Sequence, residues 1–232
     1  MRVPRIFTDF VRLFYPNLCM VCHNDLAEGE SVICTSCLYH IPRTKYWLDS
    51  ENPVAKIFWG RVFVENACSF FFFSKGSRYR KLLHHLKYNG KREVGVTLGK
   101  EFGYELKKVE AYKNIDYIVP VPLHKKRLKQ RGYNQAEEIA VGLCESMGIP
   151  VSTDILIRSE YTETQTKKTR IERVSNVSKA FRLSNPEGFS GKHILLIDDI
   201  VTTGATLEEC ANVVLEAEGA KVSIVTLAYT AL

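Results

Sequence analysis

No apolar run in this chain of 232 residues approaches the ~20 that a membrane-spanning helix needs, so no span is expected. No secretory signal is expected either. Residues 1–16 place Ile6, Phe7, Phe10, Val11, Leu13 and Phe14 at helical spacing, but Asp9 and Arg12 interrupt them and no small-residue cleavage site follows. That stretch reads as an N-terminal helix packed on the body of the protein, and the expected location is the cytoplasm. Two nucleotide fingerprints are also absent. There is neither GxxxxGK followed by Ser or Thr nor GxGxxG, which excludes the P-loop and the dinucleotide-binding patterns. Charge of one sign is missing from whole segments. Ser74 to Arg92 carries seven Lys or Arg and no acid, and Lys125 to Arg131 carries five basic residues, whereas Asp198 to Glu218 has six acids and no Lys or Arg. Lys167 to Arg182 adds six basic residues against one Glu. The net charge of +6 is modest but strongly segregated. Basic segments brought to one crevice would make a field for a polyanion, either pyrophosphate or nucleic acid.

What is present begins with the cysteines. Four of the seven fall within nineteen residues as two knuckles, Cys19-x2-Cys22-x11-Cys34-x2-Cys37. Such knuckles can present four thiolates tetrahedrally to Zn²⁺ in a closed structural site, and an Fe–S cluster would accept the same ligands. Cytosolic conditions would not preserve disulfides between them. Cys68, Cys144 and Cys210 sit in apolar contexts and read as core. An apolar content of 45% suffices for one sizeable core plus a small appendage. Residues 1–45 are therefore read as an N-terminal helix with a four-cysteine zinc module, and residues 46–232 as the main domain.

Along that main domain, strand and helix patterns alternate. Ala67 to Phe73 reads as a strand, and Arg78 to Tyr88 as a helix with Leu82, Leu83 and Leu86 on one face, stopped by Asn89-Gly90. Val94 to Lys108 reads as a second helix, Ile115 to Pro122 as a buried strand, Gln135 to Met147 as a helix and Ile155 to Arg158 as a short strand. Residues 162–178 are polar and without apolar period, as in a mobile loop. A strand from Ile194, a helix from Thr206 and a last strand from Val222 to Leu227 complete the chain. The alternation predicts an α/β fold with a doubly wound, mostly parallel sheet.

The most informative segment runs from Ile194 to Thr206. Four apolar residues form a buried strand, and Asp198 and Asp199 arrive where it is expected to end. Val201, Thr202, Thr203, Gly204, Ala205 and Thr206 then lead into the next helix, where Thr206 and Glu209 have the spacing of a capping box. Amides of a loop and helix N-terminus can cradle a phosphate, and paired acids suit vicinal hydroxyls or a hydrated Mg²⁺. This arrangement would hold a sugar phosphate.

The run resembles the fingerprint of the type I phosphoribosyltransferases, which bind phosphoribosyl pyrophosphate (PRPP). The resemblance implies that Asp198 and Asp199 contact the ribose hydroxyls and that residues 201–206 hold the 5′-phosphate, with Mg²⁺ bound alongside PRPP. Paired knuckles, His85-Leu86-Lys87-Tyr88-x-Gly90, Val119-Pro-Val-Pro122, Arg131-Gly-Tyr-Asn-Gln135 and Arg173-x-x-Asn176-Val177 precede that fingerprint in order. From Cys19 onward the series resembles the ComF (ComFC-type) family, bacterial proteins linked to natural competence and uptake of single-stranded DNA. By that resemblance Pro122 to Arg131 is the pyrophosphate loop, with Arg127 and Arg131 gripping phosphate oxygens. Residues 162–178 are the loop that closes over PRPP, where Lys167 and Lys168 neutralise the leaving pyrophosphate. The resemblance implies a PRPP-binding protein that handles incoming single-stranded DNA, with DNA-uptake proteins as further partners. The alternative is an active transferase moving ribosyl 5-phosphate to an acceptor that no motif declares.

Overall fold

The computed structural model describes residues 16–158 and 180–230. The helix expected over 1–16 and the loop 162–178, with Lys167 and Lys168, lie outside the described residues but for Pro16. Short helices α1 (Thr35–Tyr39) and α2 (Pro53–Lys56) precede strand β1 (Asn66–Phe72). Helices α3 (Arg80–Tyr88) and α4 (Glu93–Leu106) lead to β2 (Tyr117–Pro120), then to α5 (Lys125–Arg131) and α6 (Gln135–Met147). Strands β3 (Leu156–Arg158) and β4 (Phe181–Leu183) come next, followed by β5 (His193–Val201), α7 (Ala205–Val214) and β6 (Lys221–Tyr229). Four strands pair in parallel in the order β1-β6-β5-β2, and β3 and β4 form a separate antiparallel ribbon. The expected parallel α/β architecture is what forms; the ribbon's second strand was not anticipated, because Phe181–Leu183 is too short for its alternation to register.

Each face of the sheet buries a different core. On one face, Leu82 and Leu86 of α3, Leu98 and Phe102 of α4 and Ile139 and Leu143 of α6 pack against Leu195, Ile197 and Val225. The cysteine module joins this core through Val21, Val32, Ile33 and Ile41, and Tyr79 Oη donates to the Cys37 carbonyl at 3.0 Å. On the other face, Phe58, Phe181, Leu207 and Val214 cover Ile194, Leu196 and Ile224.

Helices α4 and α6 approach backbone to backbone. Gly95, Gly99 and Gly103 recur every four residues along α4, and Gly142 faces them from α6. A Cβ on Gly99 would lie 2.3 Å from the Ile139 carbonyl oxygen, and one on Gly142 would lie 2.1 Å from that of Val96. Neither neighbour is a side chain that can swing away. Gly142→Val is therefore expected to cost upward of ~3 kcal/mol through forced separation of the helices. A melting temperature unchanged in that variant would contradict the close approach.

Candidate functional site

Successive side chains of a strand point to opposite faces. On β5, Ile194 and Leu196 enter the core beneath α7, whereas Leu195 and Ile197 enter the core beneath α4 and α6. The alternation continues into the acid pair, so Asp198 and Asp199 diverge across the sheet. Asp199 Oδ2 accordingly lies 3.0 Å from Lys87 Nζ of α3. On the other side, burial and then the negative charge of Asp198 raise the thiol of Cys210 in α7. The acids do not follow the strand, as the sequence suggested. They lie within it, Asp198 paired with Thr226, and β5 ends only at Val201. Parallel pairing with β6 carries the strand past the first charged residue.

Burial, and then the charge of Asp199, push the Asp198 carboxyl up to about 7, against the Asp199 N–H and the charges of Lys87 and Arg131. That N–H donates to Asp198 Oδ1 at 2.8 Å. The pair opens into a cleft of about 420 Å³, where Lys87, Arg127, Arg131 and Arg158 also converge. Two of the basic segments thus reach one crevice, through Lys87 and through Arg127 and Arg131. Arg158, outside all of those runs, was missed; it lies over the Phe181 ring at 5.0 Å, a contact made by the ribbon and without local sequence signal.

The five residues Arg131 to Gln135, cited above as a marker of resemblance, form a clip that aims an arginine. Gly132 closes α5 at φ 77. Tyr133 is buried, and its hydroxyl donates to the Leu86 carbonyl of α3. Asn134 caps α6, its Oδ1 accepting from the Ala136 N–H at 3.1 Å while Nδ2 donates to the Val121 carbonyl at 3.0 Å. Gln135 Oε1 accepts from Arg131 Nη1 at 2.5 Å, and the guanidinium lies over the Tyr88 ring at 5.6 Å. The expected pyrophosphate loop is mostly the helix α5, started by His124, whose Nδ1 accepts from the Lys126 N–H.

Beyond β5, a hollow of about 60 Å³ is lined by Asp198 and residues 200–207. Thr202, Thr203, Ala205 and Thr206 are exposed there, whereas the Val201 side chain is buried in the second core. The capping box does not form. Helix α7 starts at Ala205, its N-cap Gly204 has no side chain, and Glu209 accepts instead from the Ala180 N–H at 2.7 Å. The first amides of α7 therefore have no side-chain cap, which suits an anion. Arg61, not singled out in the sequence, pins this loop: Nη1 donates to the Thr203 carbonyl at 2.8 Å and Nη2 pairs with Glu208. Gly204 has φ 73, and a Cβ there would lie 2.6 Å from Ile57 Cγ2. Gly204→Ala is expected to lower stability by more than ~1 kcal/mol, about 2–4 °C in melting temperature. Calorimetric melts that coincide with wild type would contradict it.

Away from the cleft, Cys19, Cys22, Cys34 and Cys37 bring their sulfurs within 4.8 Å of one another. Cys34 N–H donates to Cys19 Sγ at 3.3 Å and Cys37 N–H to Cys34 Sγ at 3.4 Å. Burial alone would raise the Cys19 thiol, but amides of Cys22, Cys34 and Val21 outweigh it and hold it at about 7. Four sulfurs with amide donors at this spacing fit a tetrahedral metal, and the cluster could hold zinc.

Residues 128–231 match the model of the phosphoribosyl transferase domain. Over 235 aligned residues, 94% of this chain and 99% of the relative, the sequence is 27% identical to DNA utilization protein YhgH of Escherichia coli (strain K12). It is 35% identical to competence protein ComFC of Bacillus subtilis (strain 168) over 149 residues, 64% of this chain and 58% of that protein. The chain contains a phosphoribosyl transferase domain and is similar to these DNA-utilization and competence proteins. Its fold is that of the type I phosphoribosyltransferases, a mostly parallel sheet carrying the acid pair at the carboxyl end of an inner strand. Among solved structures, the glutamine PRPP amidotransferase of B. subtilis, complexed with ADP and GMP, aligns over 60% of this chain and 30% of its own, at 21% identity and a TM-score of 0.41. Among the described residues, no helix is long and apolar enough to cross a membrane.

Proposed function

We propose that this chain is a ComF-family protein that binds PRPP with Mg²⁺ in the cleft at the carboxyl ends of β2 and β5 and serves the handling of incoming single-stranded DNA in the cytoplasm. The observation that carries the reading is the convergence at one cleft of an acid pair, an uncapped helix N-terminus and four cationic side chains from three other elements. Asp198 and Asp199 are the hydroxyl and Mg²⁺ side of the site, supplying the oxygen donors a hard cation prefers. Thr202, Thr203, Gly204, Ala205 and Thr206 receive the 5′-phosphate with backbone amides and hydroxyls, and buried Val201 anchors the loop. Arg127 and Arg131 face the pyrophosphate; Lys167 and Lys168, outside the described residues, are the further cations proposed for the leaving group. Bound PRPP–Mg²⁺ supplies an activated ribosyl carbon with pyrophosphate as leaving group. Zn²⁺ at Cys19, Cys22, Cys34 and Cys37 holds the N-terminal module, residues 1–45, against the phosphoribosyltransferase-like remainder, 46–232.

The DNA component rests on the segregated positive charge and on the names of the relatives, whose uptake proteins would be the further partners. Lys81 and Lys87 sit on one helix but in different settings. Lys87 meets Asp199 in the cleft, so a charge reversal there would disturb PRPP as well as DNA. Lys81 instead contacts His23 beside the cysteine cluster, its Nζ 2.8 Å from Nε2. Lys81→Glu is therefore the variant expected to weaken a labelled single-stranded oligonucleotide while leaving PRPP affinity intact, with binding that falls steeply between two salt concentrations. Binding that is absent, or indifferent to salt, would contradict the DNA component. Pyrophosphate released from PRPP in the presence of an acceptor would instead establish the transferase.

A further inference from the structure

Among the described residues, the acid pair has one ion-pair partner, and that partner is a lysine. Lys87 Nζ lies 3.0 Å from Asp199 Oδ2, with only 21% of the lysine side chain and 11% of the aspartate side chain exposed. Two other cations of the cleft have contacts of their own. Arg131 is held by Gln135 and Tyr88, and Arg158 lies over Phe181. Helix α3 fixes where Lys87 starts, because Leu82, Leu83 and Leu86 are buried and Tyr133 is bonded to the Leu86 carbonyl. Its end is a compact ammonium on a flexible four-carbon stem, without the rigid fork that locks an arginine to a carboxylate.

We propose that Lys87 is a resident counter-cation, occupying the carboxylate oxygen of Asp199 that a divalent cation or its bound water takes when the site fills, and leaving when it arrives. The inference rests on the reading of Asp198 and Asp199 as the Mg²⁺ side of a PRPP site. An uncompensated carboxylate at this depth would be costly, so the ammonium stabilises the empty site. The same contact places Lys87 in competition with any metal at Asp199. Release puts the ammonium into a cleft where phosphate oxygens can receive it, so one residue serves both the empty and the filled site. An arginine held by two parallel bonds would exchange less readily.

The test uses Mn²⁺ alone, titrated into the full chain and followed by electron paramagnetic resonance, with circular dichroism melts to establish that each variant folds. Lys87→Met is expected to bind Mn²⁺ at least fivefold more tightly than wild type, because the competitor is gone. Lys87→Arg is expected to bind it no more tightly than wild type, and Lys81→Met, on the same helix but away from the acids, to match wild type. Equal Mn²⁺ affinity in wild type and Lys87→Met would overturn the proposal, as would equal gains in Lys87→Met and Lys81→Met, which would reduce the effect to general charge. The reading of the site itself is tested separately, by calorimetry of wild type with PRPP and Mg²⁺. Heat of binding there, with no Mn²⁺ gain in Lys87→Met, would discard the counter-cation and leave the site. No binding of PRPP would discard both.

Discussion

Cys34→Ser is expected to release the metal from the cysteine cluster and to lower the melting temperature by more than ~10 °C. Metal binding free energy in small modules is folding free energy, so three remaining ligands cannot hold the two knuckles together. The loss would not stay local. Val21, Val32, Ile33 and Ile41 share a core with Leu98 and Phe102, so loosening the module exposes apolar surface on the main sheet as well. Stoichiometric zinc by elemental analysis in wild type, and its absence in the variant, would accompany the change. Iron in the purified protein, or an unchanged melt in the metal-free variant, would contradict the assignment.

The second large effect has opposite signs for binding and for stability. Asp198 titrates near 7 in the folded chain, against an ordinary carboxylate range in the unfolded one. Between about pH 4 and pH 7 the folded state then holds a proton that the unfolded state has lost, so stability falls as pH rises through this window and levels off above it. Asp198→Asn removes that charge. The ligand-free variant is expected to be more stable than wild type at pH 8 by roughly 1–3 kcal/mol, discounted for water in the cleft, or about 3–8 °C. Near pH 4 the two should melt together. The same variant is expected to bind PRPP at least tenfold more weakly, having traded an acceptor-only carboxylate for an amide. A site residue that destabilises its own fold is what functional strain looks like in a titration curve. Melts at pH 4 and pH 8 that show the same difference would contradict the placement of Asp198.

Much of this was legible in the residue order because the signals were local. Helix α6 spans the residues expected from the sequence, Gln135 to Met147, and the structure shows Asn134 capping it and Gly148 stopping it at φ 77, both residue types suited to those places. The acid pair, the threonine-rich loop and the cysteine knuckles were named from spacing alone. What escaped was set by partners far along the chain. The end of β5 depends on β6, so the acids were placed after the strand rather than in it. Thr206 and Glu209 had the capping spacing, yet Glu209 turned to Ala180, a partner supplied by tertiary folding. The glycine ladder on α4 was readable in principle, as three glycines at intervals of four, but its meaning needed Gly142 opposite. Arg61 and Lys87 acquire their roles through contacts with Thr203 and Asp199 that no window of sequence contains.

The most direct test of the central claim is isothermal calorimetry of PRPP with Mg²⁺ on wild type, Asp198→Asn and Asp199→Asn. Wild type is expected to bind one equivalent, dependent on the metal, and each variant to bind at least tenfold more weakly, about 1.4 kcal/mol or more, while circular dichroism shows the fold retained. Equal affinity in all three proteins, or no binding in any of them, would contradict it.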